Sequence, residues 1–199
     1  MTFPQRLPFP DLENLTPPQV ALREKLGPRR GGPNASKFMK MLLHFPLFVD
    51  AFGSVGQRAS DNSSLPERLF QIACRRTVWL CNAEYLWSQH RAAGLKIGIT
   101  DEDLLAVAKG EPGGALTDLD LKVIRAVDEL HFDHRFSDAS WEEFDEQVGP
   151  DAKIDILLTY LNYVGCSAMT NSMGVPLEDD RPGFSEELVE LRKTQTNGR

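Results

Sequence analysis

The densest run of reactive side chains in the sequence is Cys74-Arg75-Arg76-Thr77-Val78-Trp79-Leu80-Cys81-Asn82-Ala83-Glu84-Tyr85-Leu86-Trp87-Ser88-Gln89-His90-Arg91. Within it, His90 is the best single acid/base candidate, because imidazole titrates near neutral pH and passes a proton in either direction. Glu84 and Trp87 precede it at steps of three, which on a helix brings all three to neighbouring parts of one surface. The same histidine can equally be structural, bonded at one nitrogen and packed at the other. Arg75 and Arg76 fall within a turn of this cluster and suit a substrate carboxylate, with an internal ion pair as the alternative. Trp79 and Trp87 can wall a pocket against water, and Tyr85 or Tyr163 can donate a hydrogen bond to a developing oxyanion.

Other reactive residues lack the company that chemistry needs. Cys74 and Cys81 are about two helical turns apart, roughly 10 Å, too far for a disulfide and suited to core packing. With Cys166 they make three thiols, an odd number without C-x-x-C spacing, which predicts neither a disulfide framework nor a zinc site. His131-Phe132-Asp133-His134 offers two histidines one turn apart, but no third ligand accompanies them, so a solvated helix end is expected and no metal. Arg29 and Arg30 beside Gly31 and Gly32 lack the phosphate-cradling G-x-x-x-x-G-K-[ST] pattern.

The elements that must position these residues are helical. Apolar residues recur at steps of three and four between clusters of Gly and Pro, and no segment alternates with period two, so an all-α fold is expected. Thr16 followed by Pro17 opens a short helix to Gly27, and Gly27 to Asn34 reads as a loop. Helices over 35–45 and 46–59 meet at the His44-Phe45-Pro46 corner. Ser64-Leu65-Pro66-Glu67 has capping-box form and opens a central helix; a second runs from Ala83 to Ala93 with Gly94 as its C′ residue. Thr100 and Thr117 open two more. Ser140, Ser137 or Asp138 starts the next, and Asp151 to Met173 is the longest helix, expected to be a buried spine. The chain divides into an N-terminal extension at 1–32, a helical domain at 33–177 and a charged tail at 178–199, whose 193–199 end is expected to fray.

Composition narrows the function classes. At 199 residues, 41% apolar and 26% charged, the chain has the make-up of a soluble globular protein of one domain or two small ones. Its 22 basic and 29 acidic residues give a net charge of -7, which disfavours nucleic acid and anionic membrane surfaces as partners. No run approaches the roughly 20 apolar residues that span a bilayer, and Met1 to Pro10 lacks signal-peptide form, so a cytoplasmic location is expected.

Four stretches in this order resemble the carboxymuconolactone decarboxylase-like family, which includes the alkyl-hydroperoxidase D-like proteins. They are Leu42-Leu43-His44-Phe45-Pro46, Ser64-Leu65-Pro66-Glu67-Arg68-Leu69, Ala83 to His90 followed by Ala92-Ala93-Gly94-Leu95, and Asn171-Ser172-Met173-Gly174-Val175-Pro176-Leu177. The resemblance spans about 33–177. It implies an all-helical domain assembling as a trimer or hexamer, with its site beside the helix that bears the histidine. Redox relatives carry C-x-x-C-x-x-x-H there. Ala83 and Leu86 occupy the two cysteine positions, and Gln71 falls near the relay glutamate, so a peroxidase is not expected. Non-redox relatives read Tyr-Glu-Trp-x-x-His, of which Tyr85, Trp87 and His90 remain while Leu86 replaces the acid.

The resulting expectation is a lyase without a cofactor, decarboxylating a small carboxylated lactone or polyketide-like acid. His90 would be the proton donor and Tyr85 or Tyr163 the oxyanion donor. Arg75 or Arg76 would clamp a carboxylate, with Trp79, Glu84 and Trp87 completing the substrate contacts. Two alternatives remain open: an oligomeric binding or accessory protein on the same fold, and an isomerase or ring-opening enzyme.

Overall fold

The computed structural model describes residues 3–196. They form ten helices, with no strand among the described residues, so the all-α expectation holds. In chain order these are α1 (Pro17–Gly31), α2 (Lys37–Leu42), α3 (Pro46–Ser60), α4 (Glu67–Leu80), α5 (Glu84–Lys96), α6 (Asp101–Lys109), α7 (Asp118–Phe132), α8 (Asp138–Gln147), α9 (Pro150–Met173) and α10 (Glu186–Thr196). No helix among the described residues is long and apolar enough to cross a membrane.

The spine is α4. Every residue from Leu69 to Trp79 is buried, because α5, α6, α7 and α9 all pack against it. The longest helix, α9, was expected in that role. Its Ile154 and Leu161 are instead 44% and 49% exposed, so α9 lies at the periphery with one apolar stripe outward.

Full enclosure sets a condition on the polar residues of α4, since a buried cation must find acceptors. Arg76 meets it with the Asp128 carboxylate of α7 at 2.6 and 2.9 Å and the Val107 and Ala108 carbonyls at 2.9 and 2.8 Å. Those carbonyls end α6, where no further helical N–H reaches them. Arg68 pairs with Asp120 of α7, and Arg75 donates from Nη2 to the His90 carbonyl. Gly94 lies inside α5, not just beyond it, and a methyl group there would run into the Arg75 guanidinium. The close approach of an arginine, not helix termination, is its reason.

Several helix starts follow local chemistry. Thr100 with Asp103 and Thr117 with Asp120 form complete capping boxes, and Ser137 caps α8. Ser64 does not cap α4. Its N–H and hydroxyl both donate to the buried Asp155 carboxylate of α9, which also pairs with Arg58, and the N-cap passes to Pro66. The expected loop after Gly27 is a kink: Gly27 alone leaves the helical region at φ 68, and the helix resumes at Pro28, whose fixed φ suits a first turn.

The described part of the tail, 178–196, packs through most of its length. Phe184 meets Trp79 and Trp87 at centroid separations of 5.3 and 5.7 Å. Leu188 is buried, and the Arg192 guanidinium lies 3.9 Å from the Trp79 ring centre. Residues 193–196 end α10; the fraying expected at 197–199 concerns positions outside the described residues.

Arg76→Ala should lower the unfolding free energy in urea by about 3 kcal/mol, because it strands Asp128 and two helix-end carbonyls. Arg135→Ala, at an exposed pair with Asp138, should change it by less than about 0.5 kcal/mol.

Candidate functional site

A cavity of about 580 Å3 lies between α1, α2 and α3 on one side and α5 and α9 on the other, within the range of small-molecule sites. α4 reaches it only through Phe70. α5 presents Tyr85, Leu86, Gln89 and His90, positions that share one helical face. Glu84 lies about 120° round the helix from His90, so the expected Glu84, Trp87 and His90 surface divides.

Of the sequence candidates, His90, Tyr85 and Tyr163 line the cavity. Trp79 and Trp87 pack against each other and Phe184, while the Glu84 carboxylate accepts the Phe184 N–H at 3.0 Å. Arg75 and Arg76 are committed within the helical core. These five side chains hold the fold around the site and do not line the cavity.

His90 sits between Phe70 and Tyr163, with ring centroids at 6.4 and 5.0 Å. Its Nδ1 faces Gln71 Oε1 at 3.4 Å. An amide oxygen can only accept, so this contact favours the tautomer with the proton on Nδ1 and a lone pair on Nε2. Burial, then the positive charges of Arg75 and Arg181, lower its pKa to about 3. The imidazole is therefore neutral at physiological pH. A neutral imidazole carries one lone pair to accept a proton and one N–H to give.

The two phenols already have partners. Tyr85 donates to Glu178 Oε1 at 2.7 Å and accepts the Phe38 N–H at 3.1 Å. Tyr163 lies beside the Cys74 thiol, and burial raises the pKa of both phenols. Tyr85 cannot serve an oxyanion without breaking an existing bond. Asn162 sets its Oδ1 3.9 Å from the Cys166 sulfur and lines the cavity, which leaves its amide N–H for a guest. Burial pushes the Cys166 thiol up to about 12, so that sulfur remains a protonated wall atom at neutral pH. Among the described residues no three His, Cys, Asp or Glu side chains converge as a metal site.

Sequence reasoning missed Gln89, Asn162, Glu178 and Arg181. Glu178 Oε1 accepts from the Lys37 N–H, the Tyr85 hydroxyl and Gln89 Nε2, which folds the segment after α9 across the cavity. Phe184 and the Leu188/Leu191 spacing within a charged tail were the available signals for that return. No protein-family model matches the chain, and no curated protein matches it. The functional reading therefore rests on the cavity.

A histidine whose pKa is lowered by folding gives stability a definite pH dependence. The folded pKa lies below the unfolded value of about 6.5, so the unfolded chain binds more protons between them and stability falls as pH drops. The contribution is complete above pH 6.5 and is lost progressively towards pH 3. The thermal midpoint of the protein should fall more steeply between pH 6.5 and 4.5 than that of His90→Gln; parallel curves would contradict a neutral His90.

Proposed function

We propose that the protein is an enzyme of proton transfer acting on a small carboxylic acid with a lactone or comparable carbonyl, in which His90 acts first as a base. The observation that carries this reading is the His90 imidazole at the cavity wall, its Nδ1 held by Gln71, and burial with two nearby arginines favours its neutral form. A lone pair at Nε2 can take the proton from carbon beside a carbonyl, or from a water that attacks the carbonyl. The electron pair moves to the carbonyl oxygen, where the Asn162 N–H is placed to help stabilise it. The imidazolium so formed then returns the proton to a second carbon or to the leaving alkoxide. The first course isomerises the substrate and the second opens its ring.

The walls suit such a guest. Phe48, Phe52, Phe70 and Leu86 offer apolar surface, and Gln57, Gln89, Asn162 and Arg181 set polar groups among them. Loss of carbon dioxide in the manner of carboxymuconolactone decarboxylase is the second reading, and the resemblance at Tyr85-Leu86-Trp87 and His90 favours it. It asks for a proton donor before any base has acted, so it fits a neutral imidazole less well.

The experiment is turnover of a panel of carboxylated butenolides in deuterated water, read by mass spectrometry. Base-first isomerisation leaves an isomer of unchanged formula with deuterium gained at carbon, and ring opening adds one water. His90→Gln should lower the rate about 100-fold or more, with the thermal midpoint at pH 7.5 nearly unchanged. Release of carbon dioxide would favour the decarboxylase reading, and full activity in His90→Gln would overturn both.

A further inference from the structure

The proton-transfer reading leaves Arg181 on the cavity wall unused. Arg181 arrives from the strap that follows α9. Its Nη1 donates to Gln89 Oε1 at 2.6 Å, and its Nε lies 3.8 Å from the exposed Asp180 carboxylate. Its short bond is thus to a neutral amide, and its nearest carboxylate is a loose, solvated one. The side chain is 38% exposed. By contrast, Arg29 and Arg30 on the opposite wall both face Asp61, Arg30 with two contacts at 2.9 and 3.0 Å.

The strap that carries Arg181 is a fixed frame. Glu178 pins one end through three donors, and Gln89 holds both ends, donating to Glu178 at 3.3 Å while accepting from Arg181. Beyond it, the Phe184 N–H is bound by Glu84, and the Phe184 ring packs between Trp79 and Trp87. A guanidinium held this way loses little freedom when a ligand binds it. The charge balance adds direction. The chain carries -7 overall, yet the cavity lining holds Arg29, Arg30 and Arg181 against Asp61, with the Glu178 carboxylate bonded behind Tyr85 and Gln89 and that of Asp180 exposed to solvent.

We propose that Arg181 anchors a carboxylate of the guest, so that the cavity takes a flat, largely apolar acid whose charged end meets the strap while its body lies against Phe48, Phe52 and Phe70. Gln89 is the positioning residue that aims the guanidinium. The orientation of the reacting carbon towards His90 rests on the proton-transfer reading; the anchoring does not. A bound carboxylate would also neutralise one of the two charges that disfavour protonation of His90, so the guest would make its own base stronger.

The test is calorimetric titration with 2-naphthoate and its neutral counterpart 2-naphthamide. The protein should bind the acid about tenfold or more tighter than the amide, since charge-assisted bonds to a carboxylate are the stronger kind. Arg181→Gln should remove that preference by weakening naphthoate while leaving naphthamide within about twofold, and Arg181→Lys should keep part of it. Circular dichroism and unfolding of both variants check that the strap still packs. Should Arg181→Gln not fold, Arg181→Lys and the salt dependence of naphthoate binding decide the matter.

A preference for the acid that survives in Arg181→Gln, or no preference in the parent protein, overturns the anchor. The two readings separate cleanly. An unchanged preference in Arg181→Gln with turnover lost in His90→Gln removes the anchor and leaves the proton-transfer reading. A lost preference with His90→Gln still active does the reverse.

Discussion

A helix enclosed on every side can carry cations only where its neighbours turn acceptors towards it, and α4 imposes that condition on the whole domain. Arg68 and Arg76 are met by carboxylates of α7, Arg76 also by the end of α6, while Arg75 finds a backbone carbonyl of α5 for Nη2 and leaves its buried Nε and Nη1 without a partner. Breaking such a contact leaves a charge or a carbonyl stranded in low dielectric, so each one fixes the position of a helix more firmly than apolar packing alone. Gly94 and Gly110 are consequences, since a side chain at either place would collide with Arg75 or Arg76.

The site inherits its properties from this arrangement. Arg75 binds the backbone carbonyl of His90, which places the residue and also sets a positive charge near its ring. Phe70 and Gln71, next to each other on α4, supply an aromatic neighbour and the Nδ1 acceptor. Desolvation and positive charge both disfavour protonation, so the structural cations of α4 and the chemistry proposed for His90 are one electrostatic fact. The strap after α9 completes the cavity from the other side, bound to α5 at Tyr85 and Gln89 through Glu178.

The helices were legible in the sequence wherever a local signal determined the outcome. Thr100 with Asp103 and Thr117 with Asp120 could be read because a capping box closes within four residues. Ser64 misled because its competing acceptor, Asp155, lies 91 positions away. Gly94 looked like a terminator because periodicity carries no trace of the arginine pressed against it. The assignment of α9 as spine failed for a related reason. Apolar residues around a helix show that it can be buried, whereas burial depends on how many neighbours surround it.

His90 was legible as a candidate by residue type, and Gln71 by its place in the resemblance, but the direction of proton transfer was not. That direction depends on charges from α4 and the strap, and both come from tertiary packing. Arg75 and Arg76 were chosen as ligand cations because they are close to His90 in sequence. The strap brings Arg181 to the cavity from 91 residues beyond His90, a proximity that only the fold creates.

The central claim is that His90 is a neutral base with its proton on Nδ1. The most direct measurement is a 15N and 1H correlation spectrum of the imidazole ring, with His90 assigned through His90→Gln, followed from pH 7.5 to 4.5. The account predicts the shifts of a neutral Nδ1–H tautomer throughout that range. A titration of His90 with its midpoint near 6.5, or a ring already doubly protonated at neutral pH, would contradict it.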